Sequence, residues 1–183
     1  MNWTIPGTVL SARREDAVFV EQQFTSMFLG GGIVLSQVAA ITGLESYTIQ
    51  NWVKRGFLPA PEQKRYNMNQ LCRIVTINML KNALAMEKIT QLISYVNGDL
   101  EDDSDDLIDD ATLYFLFVKL AASASTDISQ EEWGKVIDTA LTEYKEPLPG
   151  AKERVRTVLN IMLIAWFAAQ LRDKAETMLK SLE

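Results

Sequence analysis

The stretch SQVAAITGLESYTIQNWVKRG at residues 36–56 constrains this chain more than any other, because two short runs of helical periodicity are cut by single glycines, Gly43 and Gly56. Glycine takes positive φ without a steric penalty, so each is a natural helix stop. Ser36 is placed to cap a first helix ending at Thr42, and Ser46 to cap a second reaching Arg55. Close pairing of two such helices needs a small residue at the crossing, a glycine in the turn and apolar locks. Ala39, Gly43 and Ile49 fill those places, with Val38, Leu44 and Trp52 completing the inner face. The outer face of the second helix then presents Tyr47, Thr48, Gln50, Asn51 and Lys54, groups that can hydrogen-bond base edges and phosphates.

A net charge of −6 is an odd property for a partner of DNA. Its distribution removes the objection. Residues 36–98 carry seven basic and three acidic side chains, whereas DLEDDSDDLIDD at 99–110 carries eight acidic and no basic ones. Screening acts over about 8 Å at physiological salt, so a separate acidic run leaves a local basic face intact. The run reads either as a solvated linker or as an electrostatic mimic of DNA folded back over the basic segment.

Helical spacing continues along the chain. AVFVEQQFTSMFL is helical in pattern and ends at Gly30-Gly31-Gly32, a turn rather than a phosphate loop, since no Lys-Ser or Lys-Thr follows. FLPAPEQKRY reads as a loop or short β-hairpin arm. Helices are expected at about 69–84, 86–96 and 107–124, and another opens at Ser129 with Glu132 as its capping-box partner. Pro147 and Pro149 precede a long final helix at about 150–182.

Chemistry of other kinds finds little support. With one cysteine, Cys72, and no histidine, neither a disulfide nor a zinc site is readable, and Cys72 on an apolar helix reads as a small hydrophobe. Glu143 and Asp138 have no convergent partner, so no catalytic residue, cofactor or metal is expected. The longest apolar run, TVLNIMLIAWFAAQL, spans 15 residues between Arg156 and Arg172, short of the roughly 20 that cross a bilayer. No secretory signal is readable at the N-terminus, and a cytoplasmic protein is expected.

The order helix, turn, helix, RGFLP at 55–59, loop, KRY at 64–66, helix, helix resembles the winged DNA-binding domain of the mercury-resistance-regulator (MerR-like) family. There a helix-turn-helix ending near Gly-Leu-Leu-Pro is followed by a basic wing ending in Arg-Tyr. The chain is more similar still to a bacterial family of unknown function with a helical C-terminal part. The resemblance covers about residues 33–97 and implies an all-α, winged helix-turn-helix fold followed by a helical bundle. It divides the chain into an arm at 1–32, a DNA-binding domain at 33–98, an acidic linker at 99–110 and a helical domain at 111–183. It also implies a transcriptional regulator of double-stranded DNA, whose contacts are Ser46, Tyr47, Thr48, Gln50, Asn51, Lys54, Arg55, Lys64, Arg65 and Tyr66. Many relatives have an arginine and two tyrosines where this chain has Gln50, Asn51 and Trp52, and the metal-sensing cysteines are absent. The alternative is a helix-turn-helix adaptor that binds protein rather than DNA.

Ile161, Ile164, Ala168, Leu171, Ala175, Met178 and Leu182 recur at spacings of three and four, the pattern of a coiled-coil seam. They form either a homodimer interface or part of the chain's own core. Val155, Val158, Leu159, Met162 and Trp166 make a second apolar face. Aromatics of the last helices, such as Phe117 and Trp133, line either plain core or an effector pocket whose ligand the sequence does not name.

Overall fold

The structure, a computed structural model, describes residues 2–100, 102–124 and 130–182. It is mostly helical, with eight α-helices and short strands among the described residues. Antiparallel strands β1 (Asn2–Thr4) and β2 (Ser11–Arg13) form a hairpin, and a 3-10 helix at Arg14–Phe19 leads into α1 (Val20–Met27). Strand β3 (Ile33–Val34) precedes α2 (Leu35–Thr42) and α3 (Ser46–Lys54), and β4 (Arg65–Tyr66) returns to pair with β3. Then follow α4 (Met68–Leu80), α5 (Met86–Asn97), α6 (Asp110–Ser123), α7 (Gln130–Ala140) and α8 (Ala151–Lys180).

Helix α4 is the axle. Leu71, Cys72, Ile74, Val75, Ile77 and Leu80 are all buried, and the helix packs against α2, α5, α6 and α8. A helix apolar around most of its circumference must be surrounded. Burial pushes the Cys72 thiol well above its ordinary pKa, with the carboxylates of Asp110, Asp109 and Glu21 adding to the shift. The polar side chains on α4 reach outward to fix other segments. Asn78 Nδ2 donates to the carbonyls of Gly7 and Thr42, both at 2.9 Å. Arg73 Nε donates to Asp110 Oδ2 at 2.9 Å, and Asn69 Oδ1 accepts from the Ala111 amide, so the start of α6 is held at two points.

The second layer is aromatic. The fully buried Tyr114 of α6 donates its hydroxyl to the Pro6 carbonyl at 2.8 Å, and its ring meets Phe24 and Phe115. Trp133 of α7 stacks on Phe167 of α8, whose inner face of Val155, Val158, Leu159, Met162 and Trp166 is buried as its spacing predicts. Among the described residues no helix is long and apolar enough to cross a membrane.

Several expected boundaries move. Ser36 and Ser46 lie inside their helices, and the caps are Val34 and Glu45. For α2 the cause is β3: pairing of Val34 with Arg65 leaves the chain extended up to Val34, and the helix starts directly after it, with Gln37 Oε1 accepting from the Val34 amide at 2.9 Å. Helix α4 stops at Leu80 rather than Leu84, because the amides of Ala83 and Leu84 both converge on the Leu80 carbonyl and the chain turns into α5. The acidic run is built rather than loose at its ends: Leu107 and Ile108 are buried, Leu107 N–H donates to the Val96 carbonyl, and Asp109 caps α6. The capping role given to Ser129 lies outside the described residues.

The N-terminal hairpin is the element the periodicity does not announce. Its turn places Gly7 at φ +76 directly against α4, where an added Cβ would run into the Val75 carbonyl. Gly7→Ala is therefore expected to lower stability by at least about 1–3 kcal/mol, the cost of backbone strain alone, with the clash added. Urea unfolding followed by circular dichroism checks it.

Candidate nucleic-acid interface

Two short helices and a strand pair make this surface. The turn from α2 to α3 is Gly43-Leu44-Glu45, with Gly43 at φ 69. A Cβ at Gly43 would lie 2.7 Å from Val9 Cγ1, and the Val9 amide donates to the Ile41 carbonyl at 2.9 Å. The N-terminal hairpin thus braces the turn from behind. Val38, Ile41, Leu44, Ile49 and Trp52 are buried between the helices and α4, as the inner face requires.

The outer face of α3 is a single stripe. Tyr47, Gln50, Asn51 and Lys54 follow the i, i+3, i+4, i+7 rule and are all exposed, Tyr47 at 65%. None of the four makes a side-chain hydrogen bond or ion pair with another described residue. Ser46 and Thr48 flank the stripe, half-buried. Beside it runs a groove of about 700 Å³ with largely apolar walls, among them Val34, Leu35, Val53 and Pro61, and lined also by Ser36, Ser46, Gln50, Lys64 and Tyr66.

The arm after α3 is pinned at its root and strained at its tip. Gln70 Nε2 donates to the Ala60 carbonyl at 2.9 Å, while Gln70 and Asn67 cap each other's backbone at the start of α4. At the tip, Gln63 and Lys64 both have positive φ, 47° and 63°, and the Arg65 amide closes the turn on the Glu62 carbonyl at 2.7 Å. Two successive positive φ values make the mirror-image hairpin turn that glycine and asparagine normally occupy. Here a glutamine and a lysine occupy it, and Lys64 is held outward.

Three cations or rings of the expected contact set turn out to be engaged elsewhere. Arg65 Nη1 donates to the carbonyls of Gly31 and Gly32, at 3.2 and 2.9 Å, so the glycine run is the receptor for this guanidinium. Arg55 lies over the Phe57 ring at 4.6 Å and reaches Glu87 at 3.4 Å. Tyr66 is only 3% exposed, and burial raises its hydroxyl pKa above the ordinary value. Its alternation with Arg65 along a two-residue strand forces one side chain inward. No sequence signal separated these from Lys64, because the places of Arg65 and Tyr66 depend on the pairing of β3 with β4, and that of Arg55 on the approach of Glu87 at the start of α5.

All seven residues of the expected seam on α8 are exposed, while the opposite face is buried. Beyond Arg172, whose Nη1 donates to the Asn82 carbonyl at 2.8 Å, every described residue is exposed, through the end of α8 and on to Leu182. Among the described residues, no group of three or more Cys, Asp or Glu side chains is arranged to hold a metal ion.

Fold and surface together define a mostly helical protein that presents an exposed, largely polar helix face beside a small strand-paired arm. A family model described as "Domain of unknown function (DUF1836)" matches residues 23–117, just over half of the chain, and the chain belongs to that family. The match runs from α1 through most of α6 and so takes in the whole surface. No curated protein and no solved structure matches the chain.

The tip geometry makes a stability prediction. Lys64→Gly removes a non-glycine positive φ and should raise stability by about 1 kcal/mol, partly offset by the entropy of the added glycine. A rise in the urea midpoint at unchanged slope is the expected readout.

Proposed function

We propose that this chain is a DNA-binding transcriptional regulator that uses a MerR-like winged helix-turn-helix and works as a homodimer. The single observation that carries the reading is the α3 stripe, four polar or aromatic side chains exposed together without side-chain partners among the described residues. In this reading α2 braces, α3 enters the major groove, and the turn at 62–65 is the wing whose Lys64 meets a phosphate. Arg65 and Tyr66 build the wing rather than touch DNA. A buried tyrosine and a guanidinium bonded to two carbonyls leave Lys64 as the extended cation at the tip.

The homodimer rests on α8. A heptad seam of seven exposed residues continues past the body of the protein, and a second copy of the same helix is the partner whose spacing matches it. Two α3 helices would then address half-sites about 10 base pairs apart or a multiple of this.

Binding of the full chain to a random duplex pool tests the reading. Gln50→Ala with Asn51→Ala should cost roughly 1–3 kcal/mol of discrimination per lost base contact, and Lys64→Ala should reduce the salt slope by about 1 while weakening all sequences alike. A folded chain that retains no duplex even at low salt would sink the proposal and favour an adaptor that binds protein.

The seam has its own measurement. Sedimentation of the wild type should show a dimer, and Leu171→Glu with Met178→Glu a folded monomer, since neither side chain is buried in the chain. A wild type that stays monomeric at high micromolar concentration overturns the dimer.

A further inference from the structure

The reading face is selective in its chemistry, and we infer that each half-site is read at adenine, with the neighbouring thymine methyl received by the apolar groove beside Gln50. This rests on the DNA-binding reading and names what that site recognises.

A guanine edge offers two acceptors in the major groove, O6 and N7, and is matched by a group with two parallel donors, usually an arginine. An adenine edge offers one acceptor, N7, and one donor, N6–H₂, and is matched by a carboxamide, which carries one of each. The two arginines close to the stripe are both committed: Arg55 to Phe57 and Glu87, Arg65 to the carbonyls of Gly31 and Gly32. What remains free at the middle of α3 is a pair of adjacent carboxamides, Gln50 and Asn51. Lys54, the only cation within α3, stands in its last turn, whereas a reading helix offers its N-terminal residues to base edges. It is therefore placed for a phosphate.

The groove adds an independent observation. Val34, Leu35, Val53 and Pro61 wall a space that Gln50 borders. The one apolar group in the major groove is the C5 methyl of thymine. An apolar wall next to a carboxamide thus favours A·T over G·C at neighbouring positions twice over.

The experiment selects duplexes from a random pool with the full chain and sequences them, then measures affinity for the selected site with 7-deazaadenine or uracil substituted. Adenine at two neighbouring positions of each half-site is expected. Loss of N7 should weaken binding roughly 5-fold or more, and loss of the thymine methyl should weaken it by a smaller factor. Asn51→Asp, at an exposed position, should move one selected position from adenine to cytosine, because a carboxylate accepts from cytosine N4. Guanine at those positions, or full tolerance of 7-deazaadenine, overturns the inference. Tolerance of uracil overturns the groove's part in it. Duplex bound without sequence preference overturns the inference alone, and no duplex bound at any salt overturns the DNA-binding reading with it.

Discussion

A helix buried on every side cannot leave its polar groups idle, because an unpaired buried donor or acceptor costs about 1–3 kcal/mol. Helix α4 meets this condition at Asn69, Gln70, Arg73 and Asn78, whose side chains each reach a backbone group or charge on another segment. Asn78 holds the N-terminal turn and the end of α2 together, Gln70 holds the root of the arm, and Arg73 with Asn69 holds the start of α6. The positions of α3, the turn at 62–65 and the C-terminal helices therefore all refer to one rigid element. The Arg73 and Asp110 pair is the most demanding of these ties. The Arg73 side chain is buried and that of Asp110 nearly so, and removing Asp110 would strand the buried guanidinium at a cost of up to roughly 3–5 kcal/mol.

The surface proposed to meet DNA is the opposite case. Gln63 and Lys64 hold positive φ values that their side chains oppose, and the stripe on α3 leaves four side chains without side-chain partners among the described residues. Strain and unspent hydrogen-bonding capacity are tolerated where the surrounding structure over-determines the backbone. Here the surrounding structure is the β3–β4 pair, the Arg65 bonds to Gly31 and Gly32, and the Gln70 anchor. The glycine run at 30–32 has its reason in that receptor, since two of its carbonyls converge on a single nitrogen.

Much of the local structure was legible in the residues. The stops at Gly43 and Gly56, the inner face of Val38, Leu44, Ile49 and Trp52, and the buried stripe of α8 follow from 3.6-residue periodicity and from glycine's freedom at positive φ. The outward set Tyr47, Gln50, Asn51 and Lys54 follows from the same periodicity, since a helix with one buried face must expose the other. Ser36 is not the cap of α2 because a cap depends on where the chain leaves the extended state, and here a strand partner 31 residues away, Arg65 opposite Val34, decides that.

What the sequence determined by itself is therefore the set of helices, their apolar faces and the chemistry offered by the exposed face of α3, since each depends on residues within two or three turns. Tertiary structure alone decided which cations remain free. Arg55, Lys64 and Arg65 carry the same charge, yet one stacks on Phe57, one stands at a strained tip and one is absorbed by two glycine carbonyls. The N-terminal hairpin behind the Gly43 turn was likewise beyond local reading. Its three-residue strands carry too little pattern to register, and its place is set by Asn78 and Tyr114, whose hydrogen bonds close over 71 and 108 residues of chain.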